Sequence, residues 1–141
     1  MNLEHIGIAV RSLDKSIPLF EKLFNSKCYK LEEVKTEQVV TAFFEIGETK
    51  IELLESTSPS GVISSFIERK GEGVHHIAFE VADIHSEVAR LKNEGFVVVN
   101  ETPKPGADDK IICFLHPKST NGILVELCQS TPGSIRKVSP I

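Results

Sequence analysis

Along Leu3-Glu4-His5-Ile6-Gly7-Ile8-Ala9-Val10 the side chains alternate between bulky apolar and small or polar types, and Gly73-Val74-His75-His76-Ile77-Ala78-Phe79-Glu80-Val81 follows the same pattern. A period of two is the mark of a β-strand, whose successive side chains leave opposite faces. His5, Gly7 and Ala9 share one face of the first stretch, and Ile6, Ile8 and Val10 the other. His76 and Ala78 match the first set; Ile77, Phe79 and Val81 match the second. Each strand therefore carries one oily face and one face with a histidine among very small residues. The small residues leave room beside the imidazole.

After the first strand the spacing changes. Leu13, Ile17, Phe20 and Phe24 recur at three- and four-residue intervals, which predicts an amphipathic helix capped by Ser12 or Asp14, with Pro18 in or close to its first turn. Strands are expected at 27–34, 38–46 and 50–55, the last two joined by a Gly47-Glu48 turn, then a loop and a short helix over 62–70. The order then repeats: the His76 strand, a helix from Asp83 to about Glu94 stopped by Gly95, and strands at 97–101, 110–115 and 122–128. This is a βαβββ unit present twice. It predicts an α+β fold and a single domain over 1–129, with modules of about 1–70 and 71–129 whose curved sheets surround a cleft. Residues 130–141 read as a tail.

Composition narrows the function classes. At 141 residues the chain is about one domain with a core of its own. A net charge of −4, with no long basic run, argues against nucleic acid or an anionic membrane as partner. No apolar segment approaches the roughly 18 residues of a membrane span. The first strand begins at about Asn2, so no targeting segment is expected. Cys28, Cys113 and Cys128 are scattered, which suits reduced thiols in the cytoplasm.

The repeat also pairs two carboxylates. Glu52 in Lys50-Ile51-Glu52-Leu53-Leu54 and Glu126 in Leu124-Val125-Glu126-Leu127 close their modules at matching places. A carboxylate between bulky apolar neighbours is costly to bury unless it is paired or holds an ion. His5, Glu52, His76 and Glu126 are therefore the expected ligands of one metal site. Two imidazoles and two carboxylates suit Co²⁺, Ni²⁺, Zn²⁺ or Mn²⁺, and four protein ligands on an octahedral ion leave two positions for substrate. The alternative is a degenerate repeat that binds a ligand without metal. His75, expected to point away from His76, and His85, in the second helix, read as surface residues, and His116 carries no assignment.

With these residues in view the sequence resembles the vicinal-oxygen-chelate superfamily and, within it, the methylmalonyl-CoA epimerase family. The resemblance rests on residues 4–10, 47–54 and 71–79 and on His116-Pro117-Lys118-Ser119-Thr120-Asn121-Gly122-Ile123-Leu124-Val125-Glu126-Leu127. It implies a cytosolic homodimer that interconverts (R)- and (S)-methylmalonyl-CoA on a divalent ion, with Co²⁺ favoured. It makes Glu126 the first base. The position of a second glutamate in some relatives falls here on Thr41, which cannot act as a base, and Glu45 lies too far along the strand. Glu52 is therefore expected to serve both as ligand and as second base. Lys104, Lys110 and Lys118 are candidates for the phosphates of the coenzyme A arm, and Lys118 with Ser119 for the substrate carboxylate. Glyoxalase I and a non-enzymatic small-molecule-binding member of the superfamily are the competing readings.

Overall fold

The computed structural model describes residues 1–131 of the chain. Strand β1 (Asn2–Ala9) leads into helix α1 (Leu13–Phe24), then β2 (Lys30–Val34), β3 (Val39–Ile46), β4 (Thr49–Ser56) and helix α2 (Val62–Lys70). The second half runs β5 (Gly73–Glu80), α3 (Ile84–Asn93), the two-residue β6 (Lys104–Pro105), β7 (Lys110–Leu115) and β8 (Val125–Ser130). The caps follow the sequence signals. The Ser12 hydroxyl accepts from the Lys15 amide at the start of α1, and the Asp83 carboxylate from the His85 and Ser86 amides at the start of α3. Pro18 falls one turn deeper into α1 than expected, because the helix begins at Leu13.

The strands form one eight-stranded sheet in the order β2-β3-β4-β1-β5-β8-β7-β6. The expectation of separate curved sheets is thereby refined: the two modules join edge to edge within one chain through the antiparallel β1–β5 pair, and each places its last strand parallel to its first. Helix α1 covers one face of the first module through Leu13, Ile17, Phe20 and Phe24 against Phe44 and Leu53. Helix α3 covers the same face of the second through Ile84, Val88 and Leu91 against Cys113 and Leu127. The opposite face is left for a cleft, with α2 packed beside it through Ile63, Phe66 and Ile67.

Two sequence expectations change. Residues 97–101 form no strand, only a bridge from Val98 to Leu115. Asn100 takes over the ladder with its side chain, accepting from the Phe114 amide at 2.9 Å and donating to the Ile112 carbonyl at 3.4 Å. The last strand begins at Val125 rather than Gly122, because Asn121 and Gly122 adopt left-handed backbone (φ 55° and 86°) to turn the chain. Of the expected tail, Ser130 belongs to β8 and Thr131 hydrogen-bonds the Asp109 carbonyl, while 132–141 lie outside the described residues.

Candidate metal centre

All four expected ligands are buried in one cavity of about 240 Å³ on the open face of the sheet. Pairing of β1 with β5 sets Gly7 directly opposite His76. A Cβ at Gly7 would lie 2.2 Å from His76 Cε1, so the room left by the small residue in one module is filled by the imidazole of the other. His5 Nε2 and His76 Nε2 consequently meet at 3.0 Å. Glu126 sits 3.5 Å from His76 Nε2 through one oxygen and 3.7 Å from His5 Nε2 through the other. Those carboxylate distances are too long for hydrogen bonds. They are nearer the spacing of donors that share a cation, since ligands at about 2.1 Å from one ion stand about 3 Å apart at right angles and about 3.4 Å apart at the tetrahedral angle.

Glu52 enters the same cavity from the other edge of the His5 ring, its Oε2 3.0 Å from Nδ1. The structure thus joins His5, His76 and Glu126 as one cluster and Glu4, His5 and Glu52 as another, with His5 common to both. In this arrangement the Glu52 carboxylate stands beside the His2Glu cluster and does not close it.

Two residues, His75, which was expected to point away, and Glu4, for which there was no expectation, are turned in by irregularities of the β1–β5 pair. The register slips between Leu3 and His5, which makes Glu4 an extra residue, and again between Gly7 and Ile8, which does the same for His75 on β5. Glu4 is buried with Oε1 3.1 Å from His5 Nδ1. His75, half-buried rather than a surface residue, sets its Nδ1 3.0 Å from His76 Nδ1. Each bulge residue thereby engages Nδ1 of the histidine beside it and leaves Nε2 to the centre, as an outer partner does for a ligating imidazole. His85 is exposed on α3, and His116 is exposed at the end of β7.

The electrostatics follow from burial and from these partners. Burial opposes charge on His5, but Glu52, the hydrogen bond to Glu4 and Glu126 outweigh it and raise its pKa to about 9. Burial and the two neighbouring histidines hold His76 well below the usual imidazole value, and burial with Arg69 lowers His75 to about 4. Burial raises Glu126 to about 7 against the pull of His5, and raises Glu52 for the same reason. Glu4 goes the other way: burial alone would raise it, but His5 and Lys50 bring it down to about 2. Lys50, itself buried, lies 3.4 Å from Glu4 and 2.6 Å from Asp108. The sequence reading passed over Lys50 and Asp108, although Lys50 shares the inward parity of Glu52.

Lys118 and Ser119 are not brought to the cavity. They form a 3-10 turn over Pro117–Ser119, where the Ser119 hydroxyl donates to the His116 carbonyl and accepts from the Val97 amide, and the Lys118 side chain is exposed. Lys104 and Lys110 do line it, Lys104 paired with Glu37 at 2.7 Å and Lys110 with Ser130 at 2.9 Å. Glu45 is exposed and takes no part.

Residues 4–114 match the model of the glyoxalase/bleomycin resistance protein/dioxygenase superfamily. The chain is 39% identical over 126 residues to the mitochondrial methylmalonyl-CoA epimerase of Dictyostelium discoideum, covering 89% of this chain and 76% of that one. It is 36% identical to the ethylmalonyl-CoA/methylmalonyl-CoA epimerase of Cereibacter sphaeroides, covering 90% and 96%. Among solved structures, a variant of Streptomyces coelicolor methylmalonyl-CoA epimerase in complex with 2-nitronate-propionyl-CoA superimposes with a TM-score of 0.88 at 31% identity, covering 93% and 95%. The chain belongs to the glyoxalase/bleomycin resistance protein/dioxygenase superfamily and, within it, to the family of methylmalonyl-CoA epimerases.

Proposed function

We propose that this protein is an epimerase that interconverts (R)- and (S)-methylmalonyl-CoA by moving a proton at C2, with His5, His76, Glu126 and Glu52 as the ligands of a divalent ion. The carrying observation is that two buried carboxylates of raised proton affinity, Glu52 and Glu126, approach opposite edges of the His5 ring from different modules. Inversion at one carbon needs a proton taken from one side and returned on the other, and two carboxylates that reach the site from opposite sides are suited to the two steps. Glu126 is the first base. Glu52, held at His5 Nδ1 and outside the His5–His76–Glu126 cluster, is the second base and would also help to hold the ion. The bound ion supplies Lewis-acid stabilisation of the charge that develops on the thioester oxygen. The donor set suits Co²⁺, the ion favoured by resemblance, and equally Ni²⁺, Zn²⁺ or Mn²⁺.

The coenzyme A arm leaves by a trough that shares His75, His76 and Leu124 with the cavity. Val74 and Ile123 give it apolar walls, and Arg69 and Lys70 at the end of α2 give it positive charge. The protein acts as a homodimer in this reading, and Leu19, Leu23 and Leu31, each exposed outside the cavity, are apolar positions open to a second copy. No helix among the described residues is long and apolar enough to cross a membrane. The three free cysteines support our placing the enzyme in the cytoplasm.

Incubation with (S)-methylmalonyl-CoA in deuterated water tests the reaction. Deuterium should appear at C2 together with the R isomer, chelator should stop both, and added divalent ion should restore them. Epimerisation that is absent, or that proceeds unchanged with the metal stripped, would refute the proposal.

A further inference from the structure

We propose that the Thr41 hydroxyl binds an oxygen of the malonyl group, an inference that rests on the epimerase reading above. Thr41 lies on β3, lines the cavity and is 1% exposed, yet its Oγ1 has no hydrogen-bond partner among the described residues. A buried hydroxyl without a partner carries a desolvation cost, and native proteins keep such groups where something outside the fold satisfies them. The scaffold itself makes no demand for it. Thr41 pairs with Leu54 two residues beyond Phe43–Glu52, and in the second module Ile112 pairs with Cys128 two residues beyond Phe114–Glu126. Ile112 is the structural equivalent of Thr41, buried and wholly apolar. The same backbone therefore accepts an apolar side chain at this place, and only the first module carries a hydroxyl.

The cavity supplies the direction. Val39 and Leu54, both apolar, flank Thr41 on the lining, and Glu52 stands on the neighbouring strand. Among the described residues an O–H there has no carboxylate or carbonyl to donate to, but a malonyl thioester brings both types of oxygen into the cavity. Thr41 takes no proton. It is a substrate contact, and its donated hydrogen bond fixes the acyl group so that C2 faces the two glutamates.

Thr41→Val keeps the shape and removes the hydroxyl. We expect it to weaken binding of methylmalonyl-CoA about tenfold, the scale of one hydrogen bond to a charged acceptor, with Thr41→Ser retaining most of the affinity. The same Thr41→Val protein should melt at the parental temperature or about 2–4 °C above it, since an unsatisfied buried polar group has been removed. A purely structural hydroxyl would give the reverse: lower stability and unchanged KM. Calorimetric titration with malonyl-CoA, which has no stereocentre to invert, separates this inference from the reaction. If the parent binds malonyl-CoA without epimerising methylmalonyl-CoA, the epimerase reading falls, while a tenfold weaker malonyl-CoA complex in Thr41→Val still supports the contact. Equal affinities of parent and Thr41→Val for malonyl-CoA would overturn it.

Discussion

The two modules share a backbone plan but not an electrostatic one. At equivalent places around the two histidines, the first module carries Glu4, Lys50 and Thr41, and the second carries His75, Leu124 and Ile112. Both use a bulge residue to engage the imidazole Nδ1, yet one bulge residue is a carboxylate and the other a neutral ring. Without a bound cation, these partners raise the proton affinity of His5 and lower that of His76. Duplication thus fixed where four donors point, and divergence set which half holds charge. A site built this way presents its two glutamates in unlike surroundings, as a reaction with two unlike faces requires.

The largest effect should come from removing those glutamates one at a time. Glu126→Gln is expected to lower epimerisation about 10³-fold, within the usual range for loss of a positioned general base. Glu52→Gln should abolish deuterium exchange from one stereoisomer, Glu126→Gln from the other, with metal still bound by Glu52→Gln as measured by elemental analysis. Full epimerisation retained by Glu52→Gln would remove it as a base and leave the second proton to another carrier.

Making the first module resemble the second is the next test. Lys50→Leu puts the residue type of position 124 at its equivalent, and leaves Glu4 and Asp108 without the ammonium that lies between them. Breaking a buried ion pair from one side costs about 3 kcal/mol, and the half-exposed Asp108 keeps the figure at the low end. Chemical denaturation should show that loss, and Glu4→Gln in the same chain should recover part of it. A Lys50→Leu protein as stable as its parent would mean that the charge of the first module is not tied to its fold.

Much of this was legible from residue order, because duplication repeats whatever it keeps. The two His-Ile strands, the Glu52–Glu126 match and the helix caps at Ser12 and Asp83 all rest on local pattern. His75 was expected on the far side, and Glu4 carried no expectation, because parity holds only while the register does and one bulge beside each histidine turns the neighbour inward. Lys50 drew no expectation from the sequence because its partner Asp108 lies 58 residues on, in left-handed backbone that no periodicity marks. Ser119 and Lys118, expected near the mouth of the second module, lie in a turn outside the cavity lining, where the serine hydroxyl donates to the His116 carbonyl and accepts from the Val97 amide.

The smallest expected effect lies where the modules meet outside the cavity. Helix α2 of the first module brings Arg69 and Lys70 to the trough, and the second brings Ile123 and Leu124, so the division between charged and apolar halves continues along the proposed path of the coenzyme A arm. Both cations are exposed and have no carboxylate partner among the described residues, on a chain whose net charge is −4. Placed in the last turn of α2 they also complement the helix dipole, which explains their presence without any ligand. Charge reversal separates the two roles. Arg69→Glu/Lys70→Glu should raise KM for methylmalonyl-CoA about fivefold at low salt, and the difference should shrink as added salt screens the phosphates. A methylmalonyl thioester of N-acetylcysteamine has no phosphates, and its KM should not move. An equal rise for both thioesters would mean that the substitution merely disturbed α2, and no rise for either would place the arm on another face.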